Sequence, residues 1–72
     1  MKHAIVALVA FLGAVDMVES GYAFSELTDK NGNIMEAEIP LLMFPCKVSE
    51  GDMFYIVHID DVTEIRCGEP PL

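Results

Sequence analysis

The sequence predicts an all-β protein, a small five-stranded SH3-like or OB-like barrel, in one domain of 72 residues. Three observations point there. The run Ile34–Ile39 alternates strictly, with Met35, Ala37 and Ile39 on one face and Glu36 and Glu38 on the other. That pattern belongs to a strand with one buried and one wet face. Short apolar runs are separated by turn pairs such as Asn31-Gly32 and Glu50-Gly51, the punctuation of hairpins. No stretch carries a convincing helical period. Closure suits so short a chain because it hides sheet edges.

The first element is ambiguous. Met1-Lys2-His3 precedes the apolar run Ala4–Val15, which ends at Asp16. The run is shorter than the roughly 20 residues a membrane-spanning helix needs. With Lys2 ahead and Gly21-Tyr22-Ala23 as a small-x-small site, it fits a secretory signal segment. Ile5, Val6, Val9 and Val15 fit a buried strand equally well, whereas the alanines and leucines suit a helix. Cleavage after Ala23 would remove a strand that a barrel needs. The expectation is therefore that Ala4–Val18 contains the first strand and is retained, with residues 1–13 as an apolar N-terminal extension.

Gly21–Thr28 forms the next strand, and Asn31-Gly32 offers the positive-φ positions of a tight hairpin leading into Ile34–Ile39. Pro40 should close that strand, and Pro45 should keep the following link from becoming a helix. Between them stand Leu41, Leu42, Met43 and Phe44, four large side chains that a link must bury, so it should plug an open end of the sheet. After the turn Ser49–Asp52, the strand Asp52–Ile59 is apolar on both faces at its start, which makes it central or part of a curl. Asp60-Asp61 turns the chain into a closing strand, Val62–Cys67, and residues 68–72 are a tail.

Composition narrows the function. Twelve acids against four bases give a formal charge of −8, which argues against phosphate-contacting nucleic-acid binding and against an anionic membrane surface. A protein partner with a basic patch fits that charge, as does a plain role in solubility. Cys46 and Cys67 form no CxxC and are too few for a zinc site without histidines. In the cytoplasm they would be free thiols, and after export they would pair. The expected location is cytoplasmic, with free thiols.

Each candidate chemistry has a plainer reading. His58, Asp60, Asp61 and Glu64 form the one cluster of ligand-type side chains, and a polar turn at a strand end explains them without a metal. Glu36 and Glu38, at i and i+2 on a wet face, describe a solvated strand better than an acid–base pair. Cys46 has Lys47 beside it but no assigned base, and Ser20, Ser25 and Ser49 sit in no nucleophile elbow. Tyr22, Phe24, Phe54 and Tyr55 lack interleaved lysine or arginine, so core packing accounts for them better than base stacking. No cofactor, metal or catalytic set is expected, and the chain reads as a non-enzyme.

The segment Val15-Asp16-Met17-Val18-Glu19-Ser20-Gly21-Tyr22-Ala23 resembles the VDRIEGxxAVL opening of a family of short bacterial domains of unknown function. Ile39-Pro40, Phe44-Pro45, Val48 and Glu50-Gly51-Asp52 resemble that family's later IPxxxLP and EGD motifs, so the likeness runs over Val15–Ile59. It implies a small β-barrel, found alone or attached to larger proteins, and carries over no catalytic residue. Met17 stands where the pattern has arginine, and an apolar run precedes the motif.

The resulting expectation is an acidic protein-binding module whose surface joins Glu36 and Glu38 to Leu41, Leu42, Met43 and Phe44. One version is a small inhibitor or mimic acting on a nucleic-acid-binding protein, as in phage-type counter-defence. The alternative is an exported, disulfide-tied small protein whose N-terminal segment has been removed.

Overall fold

The computed structural model describes residues 8–71. Five strands, β1 (Leu8–Glu19), β2 (Tyr22–Asp29), β3 (Ile34–Pro40), β4 (Met53–Ile59) and β5 (Val62–Cys67), form one antiparallel sheet in the order β3-β2-β1-β4-β5. The all-β expectation holds. The hydrogen-bonded ladder is not closed, and β3 and β5 are its two edges.

β1 is the middle strand, with β2 on one side and β4 on the other. Residues 8–13, read from sequence as part of an extension, are the first half of this strand and pair with Phe54–His58. The residues before Leu8 lie outside the described part. β1 carries two irregularities, at Ala10 in its pairing with β4 and at Asp16 in its pairing with β2. Extra residues of this kind bend a strand and increase its twist. On the other side of β1, the ladder with β4 ends at Ala14 and is prolonged by the turn that precedes β4. There the Val15 N–H donates to the Asp52 carbonyl (2.9 Å), and the Gly51 N–H donates to the Val15 carbonyl (2.8 Å).

The bend brings distant strands onto one core of Val15, Ala23, Leu27, Ile39, Phe44, Val48 and Phe54, with Phe11, Ala37, Leu41, Ile56 and Ile65 packed around it. Phe54 is fully buried. Its ring lies over Gly13, its cross-strand partner, where a Cβ would overlap the ring. Phe44 meets Phe54 edge to face, with centroids 5.1 Å apart and planes at 87°, an arrangement aromatic rings favour. Ser25 is the one buried polar residue of the described chain, and its hydroxyl donates to the Ala23 carbonyl. β4 is buried on its other face as well, through Tyr55 and Val57. These sit opposite Leu12 and Val9 of β1, and Pro70 of the tail returns to a groove lined by the same two residues. The two-sided apolar pattern read from sequence is accounted for by this position between β1 and β5.

The β2–β3 hairpin forms where expected, pairing Tyr22–Thr28 with Ile34–Pro40. Gly32 alone takes positive φ in its loop, at 86°, so Asn31 does not share the role assigned to it. Asp29 organises the turn instead. Its carboxylate accepts from the backbone N–H groups of Asn31 (2.8 Å) and Asn33 (2.9 Å). The Asn33 backbone hydrogen bond is the main cause that holds the Asp29 carboxyl below its ordinary 3.8. A lowered folded value means the contribution is present above 3.8 and is lost as the pH falls through the folded value.

The other two hairpins use positive φ at residues with side chains: Ser20 (54°) in the β1–β2 turn, and Asp60 (48°) with Asp61 (66°) in the β4–β5 turn. Asp tolerates the left-handed region better than most residues but still at a cost. Asp61→Gly is therefore expected to raise stability by about 0.5–1 kcal/mol, read as a higher urea midpoint at unchanged slope.

Pro40 ends β3, and the link turns once as a 3-10 helix, η1 (Leu41–Met43), before Phe44 and Pro45. The plug is smaller than expected. Phe44 is buried and Leu41 half-buried, but Leu42 is 98% exposed and Met43 61%. Beyond it, Cys46 is bonded to Cys67 at the end of β5, so the free thiols expected from a cytoplasmic reading are replaced by a disulfide.

Candidate functional site

Alternation along β2 turns Ala23, Ser25 and Leu27 into the core, which sends Tyr22, Phe24 and Glu26 to the opposite face. β3 follows the same rule, with Ala37 and Ile39 inward and Glu36 and Glu38 outward. The register sets Glu26 directly opposite Glu36 and Phe24 opposite Glu38. The phase of the ladder is fixed by two hydrogen bonds, Asp29 N–H to the Asn33 carbonyl and Leu41 N–H to the Gly21 carbonyl. Hydrogen-bonded pairs alternate with closer non-hydrogen-bonded ones. The Glu26–Glu36 and Phe24–Glu38 pairs accordingly fall at the close positions. Directly opposed like charges destabilise a sheet. Nothing in the packing requires two exposed glutamates there.

A groove on this face is lined by Asp16, Met17, Phe24, Ser25, Glu36, Ala37 and Glu38. Asp16, at the irregularity in β1, borders it, and Met17, Tyr22 and half-buried Phe24 supply apolar surface among the carboxylates. No lysine or arginine belongs to the outward positions of β2 and β3. This is an acidic surface with apolar centres.

Leu42 and Met43 are elsewhere. They line a second groove with Phe44, Pro45, Ile56, Thr63, Glu64 and Ile65, on the side of the sheet that carries the core. The surface expected from sequence, joining Glu36 and Glu38 to Leu41–Phe44, is thus divided between two grooves, and Phe44 belongs to the core. Sequence reasoning missed Asp16, Met17, Phe24 and Glu26. The signal for Phe24 and Glu26 was present, since Ala23, Ser25 and Leu27 alternate with them. Phe54 and Tyr55 are buried as expected, but Tyr22 and Phe24 are not core residues.

The remaining candidates stay apart. His58 Nδ1 lies 3.2 Å from Thr63 Oγ1 and its Nε2 lies 3.9 Å from Asp61. Glu64 faces the other side of the hairpin and pairs with Arg66 at 3.2 Å. Among the described residues no group of three or more His, Cys, Asp or Glu side chains is placed to hold a metal ion. Cys46 is in the disulfide and offers no nucleophilic thiol. No helix among the described residues is long and apolar enough to cross a membrane.

Comparison with known proteins adds no relative to this geometry: no family model matches the chain, and no match is found among curated proteins or solved structures.

Proposed function

We propose that the chain is a non-enzymatic protein-binding module that uses the outer face of β1, β2 and β3 to hold a basic patch on its partner. The observation that supports this most is the opposition of Glu26 to Glu36, with Glu38 beside Phe24, on an exposed face without a lysine or arginine among its β2 and β3 positions. A cationic partner relieves that repulsion, so the face gains more from binding than an ordinary solvated strand would. Met17 and Phe24 supply the apolar contact that charge alone does not. A nucleic-acid-binding protein has the required basic patch, which keeps the inhibitor or mimic version within this reading. On the same reading the sheet resembles small SH3-like and OB-like barrels, with Phe44 packed into its core from the link after β3.

The Cys46–Cys67 bond favours an oxidising location and supports the exported alternative. Removal of residues through Ala23 does not fit it, because β1 would be lost, and β2 and β4 both pair with β1.

The test begins with capture of the partner by tagged full-length chain and proceeds to rates across a salt series. Glu36→Lys with Glu38→Lys should slow association roughly tenfold at low salt and flatten its salt dependence. Stability should stay level or rise by about 0.5 kcal/mol, since Glu26 then meets a lysine. Phe24→Ala should instead speed dissociation. Unaltered kinetics in the charge-reversed chain would leave the acidic face a solubility device.

A further inference from the structure

The two edges of the sheet offer different things to a neighbouring strand. In the β4–β5 ladder the Gly68 N–H donates to the Met53 carbonyl at 2.9 Å, and the same register sets Arg66 opposite Tyr55, Glu64 opposite Val57 and Val62 opposite Ile59. Hydrogen-bonded and non-hydrogen-bonded pairs alternate along an antiparallel ladder. Val62, Glu64 and Arg66 therefore aim their backbone groups at β4, and Thr63, Ile65 and Cys67 aim theirs at the open side. Among the described residues no backbone group meets those of the open side.

We propose that β5 is a self-pairing edge: two copies of the chain join β5 to β5, antiparallel, about a twofold axis at Ile65, and the sheet runs on through both. The backbone phase permits it. Ile65 faces the partner's Ile65 as a hydrogen-bonded pair, and Thr63 faces the partner's Cys67 in the same way. Charge then falls into place, because Glu64 stands opposite the partner's Arg66, and Arg66 opposite the partner's Glu64, at the close non-hydrogen-bonded positions. Within one copy these two side chains already form an ion pair at 3.2 Å, so pairing builds a square of alternating charges. Exposed apolar surface adjoins the same edge. Leu42 and Met43 line a groove with Thr63 and Ile65, and the incoming strand would cover it.

The opposite edge refuses such pairing. By the phase set out above, β3 turns the backbone of Ile34, Glu36 and Glu38 outward, and every antiparallel self-alignment centred on Glu36, Ala37 or Glu38 puts glutamate against glutamate. Charged edges of this kind block strand addition. The acidic face around Glu26 and Glu36 lies at the far end of the sheet from β5, so a dimer keeps two copies of it accessible.

Sedimentation velocity on the full-length chain over a concentration series tests the proposal. The unaltered chain should populate a dimer. Glu64→Arg alone, and Arg66→Glu alone, should weaken it at least roughly tenfold, because two cross-strand pairs become repulsive. The double exchange Glu64→Arg with Arg66→Glu should restore it, and an equimolar mixture of the two single variants should form a heterodimer. Both side chains are about half exposed, and unchanged circular dichroism would show that the fold is intact. A chain that stays monomeric at high-micromolar concentration overturns the proposal. So does a dimer indifferent to Glu64→Arg, or single variants that fail to recover on mixing while remaining folded.

Discussion

Phe54→Ala is expected to remove about 4 kcal/mol of stability, close to all that a chain of this size holds. Phe54 is fully buried, and its ring is in contact with both Gly13 and Phe44. Truncation loses the transfer free energy of the ring and leaves a cavity that glycine on the facing strand cannot fill. The variant should show little near-ultraviolet dichroism at 25 °C and a urea midpoint near zero. Gly13→Ala attacks the same contact from the other side, because its methyl group would overlap the ring; a loss of about 2 kcal/mol is expected. Combined, the two substitutions should be less damaging than their sum, since the added methyl occupies space the ring has vacated. Additive losses would show that Gly13 does not owe its place to Phe54.

Loss of the Cys46–Cys67 bond is the second large expectation. In the chain-entropy description, a bridge across a sequence separation of 21 contributes about 3 kcal/mol by restricting the unfolded chain. The chain has few other means of reaching that sum, because a domain this small buries a modest share of its surface. Cys46→Ser and Cys67→Ser should each lower stability by this amount, and reduction of the unaltered protein should match them. Thiol labelling of the unreduced, denatured protein should find no free cysteine. Equal stability with and without reductant would show that the bond contributes nothing to folding.

Much of the strand arrangement was legible because the relevant signals were local. The β2–β3 register followed from the alternation around Glu36 and Glu38 and from the loop after Asp29, both contained within a few residues. Pro40 marked the end of β3 correctly, whereas the link it opens is not free of helix, since Leu41–Met43 make one 3-10 turn before Pro45. What stayed hidden depended on contacts made across the chain. The first strand does fall within Ala4–Val18 as expected, apart from its last residue, Glu19, but residues 8–13, whose composition suits helix and strand alike, belong to it through pairing with β4 and not to an extension. Asp60-Asp61 take left-handed φ without the glycine that usually announces it, and Ser20 does so ahead of Gly21. Leu42 and Met43 are as apolar as any core residue, yet one turn of 3-10 helix presents them outward while Phe44 enters the core and Leu41 packs against it. The candidate face was half legible for the same reason. Glu36 and Glu38 were found within one strand, whereas Glu26 and Phe24 acquire their meaning from the strand opposite.

The position of β1 also dictates the order of assembly. Hairpins β1–β2, β2–β3 and β4–β5 join neighbours in sequence, and the β1–β4 ladder, with Leu12 against Tyr55, is the one pairing that spans most of the chain. Its loop-closure entropy must be met before the ladder returns any contact energy, so its formation should set the folding rate. During synthesis the first three strands can collect as a meander while the fourth is still being made. The cysteine bond ties the link, within the span from Leu12 to Tyr55, to β5 beyond it and does not shorten that span, so it does little to hasten the encounter. Its effect falls on the lifetime of the folded chain, which it lengthens by slowing the departure of β5 and the link together.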